Sequence, residues 1–394
     1  MTLRAKLRWV SLLYFVEGLP FGIVYDALPV YFRLHGVSLR QIGLLSLLEL
    51  PWSIKVLWSP LVDRLGNPRR WILGALFVLA GAHLAIPVFD ASQAGPWLWF
   101  VLLLLTTASA TQDIAIDGAF VRLLKPGEEG VANGVRASAY RVAILVGGGG
   151  MLLLLRFTGW SWIFAAAAAL FILLAVLSAQ APVTEPPPHR PLKEWGRSLW
   201  LWLRRPSALF VFAFILLYKL GDQSMGRMVS AFWLDRGMRP EEIGFMTTMV
   251  GSFVTMAGAL AGGWYTSRKG IFSGIWVLGL TQAFSNLGYA GVAYFNLGRP
   301  FLYGASLFES FTQGLGTAAL LAFLTRSCDK EHAATQYALL SAIFGFTRTA
   351  ARAASGWATE MLGFSSFFAL TFLLSFPAYA FLPWVRQWLR ESEK

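Results

Sequence analysis

Long apolar runs separated by short polar stretches form the dominant pattern of this chain. A helix needs about 20 apolar residues to cross the hydrocarbon core of a bilayer. Runs of that length lie near 9–32, 41–62, 71–89, 97–121, 134–155, 160–180, 207–233, 241–265, 271–295, 301–325, 333–357 and 364–385. The pattern therefore predicts an all-α integral membrane protein with twelve transmembrane helices.

One polar gap divides these runs into two sets of six. Residues 181–206 read APVTEPPPHRPLKEWGRSLWLWLRRP, which is rich in proline and in basic residues. Proline disfavours a long helix, and Lys/Arg are typical of cytoplasmic segments. We therefore predict a six-helix bundle over 1–180, a cytoplasmic linker over 181–206 and a second six-helix bundle over 207–394. With both termini inside, cytoplasmic segments hold about 21 Lys/Arg and external loops about 6, as the positive-inside rule requires.

A weak internal repeat relates the two sets. The stretch from Gly36 to Trp52 and the stretch from Gly237 to Phe253 both contain Gly-x-x-x-x-x-Ile-Gly at the entry to the second helix of their set. Two parallel halves related by an axis along the membrane normal are typical of transporters, which hold the solute between the halves near the midplane.

Composition and charge exclude several other classes. Hydrophobic residues make up 56% of the chain and charged residues 14%, far fewer than the roughly 25% of soluble proteins. The net charge of +12 comes from short basic clusters between apolar runs, which does not indicate nucleic-acid binding. Cys328 is the one cysteine, so neither a disulfide nor a cysteine metal site is expected. The basic N-terminus is interpreted as the start of an uncleaved first helix, because that helix carries charges and no cleavage motif follows.

Enzymatic chemistry is not indicated, and no cofactor or metal is expected. The chain has no His pair with metal spacing, no nucleophile elbow and no Gly-rich loop ending in Lys-Ser/Thr. His83 is interpreted as a packing residue.

Ionisable residues within the predicted spans are the candidate functional groups, because each costs at least about 2.5–3.5 kcal/mol at the bilayer centre. In the first span Glu17 precedes Pro20 by one turn and is a candidate for binding substrate or a proton, or for a structural ion pair. Asp26, nearer the external end, is a weaker candidate.

The fourth span contains TQDIAID, which places Asp113 and Asp117 on one helix face beside Gln112. Two carboxylates on one face raise each other's proton affinity, which suits proton coupling. For Asp117 the alternative is a structural pair with Arg122, Arg136 or Arg141.

Basic residues within other spans are candidates for binding an anionic group. Arg141 lies about two turns into the fifth span, and arginine binds carboxylates bidentately. Lys219 and Asp222 share a face of the seventh span, where protonation of the acid would release the lysine for an anion; a static ion pair is the alternative. Two further pairings are Arg348 and Arg352 with Glu309, and Lys55 with Glu49.

The loop SPLVDRLGNPRR resembles the signature loop of the major facilitator superfamily, Gly-x-Leu-x-Asp-Arg-x-Gly-Arg-Lys. Ser59 replaces the first Gly, the basic pair comes two residues late, and the second-half copy GGWYTSRKG is degenerate. The resemblance implies the fold of that superfamily and a cytoplasmic gate in which Asp63 lies near the start of a neighbouring helix. The residues assigned to this gate are Asp63, Arg64, Gly66, Arg69, Asp117 and Arg136.

A narrower resemblance covers nearly the whole chain. YFVEGLPFG, GVSLRQIGLLSLLELPWSIKVLWSPLVDR, ATQDIAIDG, NGVRASAYR, LLYKLGD and ATQYALLSA occur in the order found in AmpG-type muropeptide permeases, a branch shared with acetyl-CoA transporters. The resemblance implies import of GlcNAc–anhydro-muramyl peptides by proton symport. Well-known members carry two further helices that the twelve runs do not include, which leaves the substrate open.

Such a cargo is anionic and carries sugar rings. Arg141, Lys219 and Arg348 are expected to bind its carboxylates, with Glu17 and Gln112 as further substrate ligands. Tyr14, Tyr140 and Trp52 are expected to stack on sugar faces. The expected proton-coupling residues are Asp113, Glu17 and Asp222.

Other readings stay open: a transporter of acetyl-CoA, a peptide or a sugar phosphate, or a membrane sensor that does not transport. The expected partners are a small anionic solute, protons and lipid, without nucleic acid. The resemblance implies a monomer in the cytoplasmic membrane.

Overall fold

The computed structural model describes residues 1–37, 45–65, 67–92, 95–155, 157–182 and 192–391 of the chain. All regular structure in these ranges is helical. Within these ranges every predicted span coincides with a helix or a series of helical segments, which confirms the predicted fold class. Nine helices in the described ranges are long and apolar enough to cross a membrane.

The first six spans differ in regularity. We name them α1 (Leu3–Leu34), α2 (the short segments Leu45–Glu49, Leu50–Ile54, Lys55–Leu57 and Ser59–Arg64), α3 (Pro68–Val88), α4 (Pro96–Leu123), α5 (Glu129–Leu154) and α6 (Trp160–Ser178). Two of them contain a π-helical turn, at Ile23–Ala27 in α1 and at Val146–Gly150 in α5. Such turns widen the helix and are frequent at functional sites.

A short helix, Leu192–Leu203, precedes the second set of spans. These are α7 (Ala208–Asp235), α8 (Gly244–Lys269), α9 (Ile271–Tyr294), α10 (Arg299–Arg326), and α11 with α12, which form the continuous stretch Ala333–Leu373 followed by Pro377–Phe381 and Leu382–Glu391. Gly363 separates α11 from α12 with φ 74°, a left-handed conformation that favours glycine.

Three predicted spans, α2, α9 and α11, are not among the nine apolar helices. In α2 the described segments are short. In α9 and α11 buried polar residues lower the hydropathy, among them Asn286 and Gln336. Such residues inside a membrane helix are a mark of function rather than of a purely lipid-facing surface.

Glycine pairs bring α8 and α10 close together. A Cβ added at Gly262 would lie 2.6 Å from the carbonyl oxygen of Leu315. Cβ atoms at Gly258 and Gly314 would also clash with backbone of the facing helix, at Phe311 and Thr255. Small residues four apart are a common means of helix packing in membranes, where no hydrophobic effect drives association.

The chain divides into two compact units, and each unit contains a short segment from the other half of the sequence. Unit 1 comprises Met1–Leu124, Ala139–His189 and Lys330–Ala338, and unit 2 comprises Lys125–Ser138, Arg190–Asp329 and Leu339–Lys394. The start of α5 thus belongs to unit 2 and the start of α11 to unit 1. The sequence division at 1–180, 181–206 and 207–394 stays a prediction.

Candidate functional site

A buried lysine lies between two acids in unit 1. Lys55 Nζ is 3.5 Å from Asp113 Oδ2 and 3.7 Å from Asp117 Oδ2. Tyr14 donates its hydroxyl hydrogen to Asp117 Oδ1 at 2.9 Å, and all four side chains are buried. We call Lys55, Asp113 and Asp117 the acid–lysine cluster. It places one ammonium against two carboxylates inside membrane-spanning helices, where buried charges are costly and mark functional sites.

Gln112 and Ser109 extend this polar face of α4. Both are completely buried, and neither the two amide atoms of Gln112 nor the hydroxyl oxygen of Ser109 has a hydrogen-bond partner among the described residues. Buried polar atoms are nearly always hydrogen-bonded to protein, to water or to a ligand. These groups therefore require a water molecule or a bound polar group to satisfy them.

Glu17 lies where α1 crosses α5. It is buried one turn before Pro20, and the π-helical turn follows immediately after Gly22. Cβ atoms at Gly18 and Gly22 would lie 2.7 and 2.5 Å from the carbonyl oxygens of Tyr140 and Ile144. The two backbones therefore touch at this point, and this contact sets the position of Tyr140 relative to α1.

Four aromatic rings from α1, α2 and α5 gather beside this crossing. Phe21 stacks on Tyr25 with a centroid separation of 4.0 Å, and its centroid is 5.4 Å from Trp52 and 6.1 Å from Tyr140. We call Phe21, Tyr25, Trp52 and Tyr140 the aromatic cluster. Flat faces with polar edges suit the apolar faces of sugar rings.

Lys219 forms the polar centre of unit 2. It interrupts α7 between the helices Ala208–Tyr218 and Leu220–Asp235. Its ammonium donates to Gln282, to Thr317 Oγ1 at 3.2 Å and to the carbonyl oxygen of Gln313 at 3.4 Å. Asp222 Oδ2 lies 3.9 Å away. The expected contact of Lys219 with Asp222 is present, and broken membrane helices of this kind commonly line binding sites.

The remaining predicted substrate ligands differ in their burial. Arg141 is half-buried in α5, next to Tyr140, whereas Arg348 of α11 is exposed. Tyr14 is completely buried, and its ring contacts Phe120 edge-on at 5.2 Å. This packing favours a role for Tyr14 in orienting Asp117 over stacking on a sugar.

Asp63 accepts hydrogen bonds from four donor groups of three residues in unit 1. Its carboxylate accepts hydrogen bonds from the backbone N–H groups of Ala334 and Thr335 at 3.2 and 2.8 Å, and from the Thr335 hydroxyl at 2.8 Å. Arg122 Nη1 donates to it at 3.2 Å. Asp63 therefore lies at the N-terminus of α11, where the helix dipole favours a negative charge. We call Asp63, Arg122, Ala334 and Thr335 the Asp63 latch.

The other predicted gate residues have varied surroundings. Arg69 Nη2 donates to the carbonyl oxygen of Ala181 at 2.7 Å, and Arg136 is buried. Arg64 is half-buried. Gly66 lies outside the described residues.

A corresponding set of contacts lies at the start of α5 in unit 2. Val131 N–H donates to Ser267 Oγ at 2.9 Å, Asn133 donates to Thr325 Oγ1 at 3.1 Å, and Arg326 lies 3.2 Å from Glu129. In the degenerate motif GGWYTSRKG, Ser267 stands where SPLVDRLG has Asp63. We call Val131 with Ser267 the Ser267 latch.

Some partners differ from those predicted. Arg122, one of three partners considered for Asp117, donates to Asp63. Lys55, considered as a partner of Glu49, lies between the two acids of α4. Helical spacing identifies neighbours within a helix and does not identify partners across helices. The close packing of Gly130 on Gly263 and of Gly134 on Ala259 was not predicted either. The sequence Gly-x-x-x-Gly at the start of α5 is the signal that indicates it.

Comparison with known proteins identifies the family to which this chain belongs. Residues 10–299 match the model of the Major Facilitator Superfamily. The chain is 30% identical to the anhydromuropeptide permease of Escherichia coli over 95% of its own length and 78% of the permease. It is 26% identical to putative transporter AmpG 4 of Rickettsia conorii, over 95% of this chain and 94% of that one.

Solved structures show the same fold at low sequence identity. The human organic anion transporter MFSD10 has a TM-score of 0.76 and 15% identity, with 97% of this chain and 100% of that chain covered. The fucose:proton symporter FucP of Escherichia coli has a TM-score of 0.75 and 14% identity, with 98% and 99% covered. The chain therefore belongs to the major facilitator superfamily, is of the AmpG type, and is a multi-pass membrane transporter of a small molecule rather than an enzyme.

Proposed function

We propose that this transporter imports GlcNAc–anhydro-muramyl peptides by proton symport. The observation that carries the proposal is the acid–lysine cluster, an ion group buried within the membrane helices of a chain 30% identical to an anhydromuropeptide permease. Buried charges are costly in a membrane, and a transporter that couples solute to protons requires them.

The aromatic cluster and the orphaned polar atoms of α4 support a sugar-containing substrate. Tyr140 and Trp52 offer ring faces, and Gln112 offers an amide donor and acceptor without protein partners among the described residues. Arg141 lies next to Tyr140 in sequence and supplies a permanent positive charge for a peptide carboxylate. Lys219 and Arg348 are the proposed cationic ligands in the second half of the chain.

Proton coupling is assigned first to Asp113, with Glu17 and Asp222 as further candidates. Asp113 faces Lys55 at 3.5 Å, so neutralising this carboxylate by protonation would release the ammonium towards Asp117. Tyr14 already holds Asp117 in a fixed orientation through its hydroxyl group. A proton on Asp113 therefore changes the charge of the cluster without requiring a new contact.

The Asp63 latch is the proposed gate on the cytoplasmic side. Three of its four hydrogen bonds join the end of α2 to the start of α11. The fourth comes from Arg122 of α4, which is buried and becomes exposed when the latch breaks. Arg64, Gly66, Arg69, Asp117 and Arg136 complete the proposed gate. We further propose a monomer in the cytoplasmic membrane with both termini in the cytoplasm.

The test is uptake of radiolabelled anhydro-muropeptide into proteoliposomes with and without an inward proton gradient. Accumulation that requires the gradient supports both cargo and coupling. Asp113→Asn should keep binding and lose accumulation, whereas the exposed Asp90→Asn should match the wild type. Folded, correctly oriented protein that takes up no muropeptide would contradict the assignment and lead to a binding screen of anionic metabolites beginning with acetyl-CoA.

A further inference from the structure

Polar side chains, buried on α9 and half-buried on α10, form a column in unit 2. Gln282, Asn286 and Tyr289 are spaced four and three apart in α9 and share one helix face. In α10, Glu309, Gln313 and Thr317 are spaced four apart and share one face. We call these six residues the polar column.

One end of the column reaches Lys219. The ammonium of this residue bonds Gln282 from α9, and Gln313 and Thr317 from α10. Asp222 lies beside the ammonium, and one of its oxygens, Oδ1, is buried without a hydrogen-bond partner in the described structure. The column therefore ends at a carboxylate oxygen that can accept a hydrogen bond.

The other end approaches the surface. Tyr289 lies beside Trp233, whose ring centroid is 5.7 Å from that of Tyr303. The Tyr303 hydroxyl donates to Glu242, and Glu242 lies 3.6 Å from Arg299. The side chain of Arg299 is 56% exposed, so this end is in contact with solvent. The positive-inside rule predicts that this end faces the exterior.

Several atoms between these ends have no hydrogen-bond partner among the described residues. Both amide atoms of Asn286 and Gln282 Nε2 are buried in this condition, whereas the Tyr289 hydroxyl lies against Ser306 and Trp233. Each of these side chains is at most 4% exposed. Buried polar groups without a protein partner are satisfied by ordered water when the site is polar. Gln282 and Asn286 lie four residues apart on one face of α9.

We propose that the polar column is a hydrated path along which protons travel from Glu242 to Asp222, with Asn286 as the positioning residue that holds its water molecules. The inference rests on the proposed proton symport. A proton entering at one end is passed from water to water by exchange of O–H bonds, and the last water transfers a proton to Asp222 Oδ1. The waters are restored, no electrons change hands, and the carboxylate becomes a neutral carboxyl group.

The consequence at Lys219 links the path to the solute. A neutral Asp222 no longer attracts the ammonium, so Lys219 can bind a carboxylate of the cargo. Loss of the proton to the opposite side restores the ion pair and favours release. Gln313 Nε2 donates a hydrogen bond to Glu309 Oε1 at 3.4 Å. Glu309 is therefore a second acidic group along the path.

The test compares two variants of α9 in proteoliposomes that contain a pH-sensitive dye. Asn286→Leu removes the buried amide while keeping the side-chain size. Thr281→Val, the matched control, removes a hydroxyl that bonds only the Val277 carbonyl of its own helix. Radiolabelled GlcNAc–anhydro-muramyl peptide is the substrate. Counterflow, which exchanges labelled for unlabelled solute, reports binding and the conformational cycle without net proton movement.

We expect Asn286→Leu to retain counterflow within about twofold and to lose substrate-dependent proton uptake by about 10²-fold, the low end for removal of a proton-transfer group. Thr281→Val should retain both. Equal proton uptake in wild type and Asn286→Leu, or equal loss of uptake and counterflow, would overturn the proposal. Tyr289→Phe, which removes a single oxygen, serves if Asn286→Leu does not fold, and the same outcomes apply.

The wild-type measurement separates this inference from the proposed function. Wild-type protein that takes up the substrate without a gradient contradicts proton symport and the path together. Wild-type protein that couples, with variants that couple equally well, contradicts the path alone.

Discussion

Asp63→Asn is the substitution that most directly tests the Asp63 latch. The amide keeps the shape of the carboxylate but carries no charge. Its oxygen can still accept from Thr335, whereas its nitrogen would face the donor groups of Ala334 or Arg122. Loss of the ion pair with Arg122 is the more serious effect, because the Arg122 side chain is only 4% exposed and would remain charged without a counterion.

The magnitude follows from these two effects. Loss of a negative charge at a helix N-terminus costs about 0.3–1 kcal/mol. Removing one member of a buried ion pair costs about 3–5 kcal/mol, and this effect is the larger. If opening of the latch relieves the cost by hydrating Arg122, the open state is favoured by roughly 10²- to 10³-fold, since each 1.4 kcal/mol is a factor of ten.

The assay uses alkylation of a reporter cysteine. Cys328→Ala removes the native thiol, and Ala333→Cys places a thiol at the first residue of α11, which is fully buried. Asp63→Asn should raise the rate of reaction with a membrane-impermeant maleimide by about 10²-fold.

Asp329→Asn is the control, because Asp329 forms a half-exposed pair with Arg205 at 3.4 Å and such pairs contribute at most about 1 kcal/mol. A rise below about threefold in Asp63→Asn, less than 1 kcal/mol, would refute the reasoning. Adding Arg122→Met to Asp63→Asn should recover most of the lost stability, because no buried charge then remains without a partner.

Three further predictions concern other contacts. Lys55→Met leaves two buried carboxylates without their shared ammonium and should lower stability by about 3–5 kcal/mol in thermal denaturation, with partial recovery on adding Asp113→Asn. Lys219→Gln should abolish binding of the anionic cargo in equilibrium dialysis while leaving a folded protein; unchanged affinity would exclude Lys219 as a ligand. Gly134→Val places a side chain against the Ala259 carbonyl oxygen, 2.6 Å from the new Cβ, and should slow transport strongly, measured by counterflow, whereas exposed Gly149→Val should not.

The fold could be predicted because hydrophobic run length is a direct physical requirement of the bilayer. The Asp63 latch could be predicted in part. The signature loop identifies Asp63 but does not identify the groups that donate hydrogen bonds to it. The site was less predictable. Asp113 and Asp117 share a face by helical spacing, but their partner Lys55 comes from another helix, and periodicity contains no information on that pairing. The break in α7 at Lys219 was also not predicted, since the surrounding residues are all compatible with a continuous helix.

The two latches are chemically unequal. Asp63 offers a full negative charge to the start of α11, whereas Ser267 offers a neutral hydroxyl to the start of α5. Charge-assisted hydrogen bonds are roughly twice as strong as neutral ones. Loss of the capping side chain should therefore cost more at the start of α11, where Asp63 also pairs with Arg122, than at the start of α5, where the charges belong to Glu129 and Arg326.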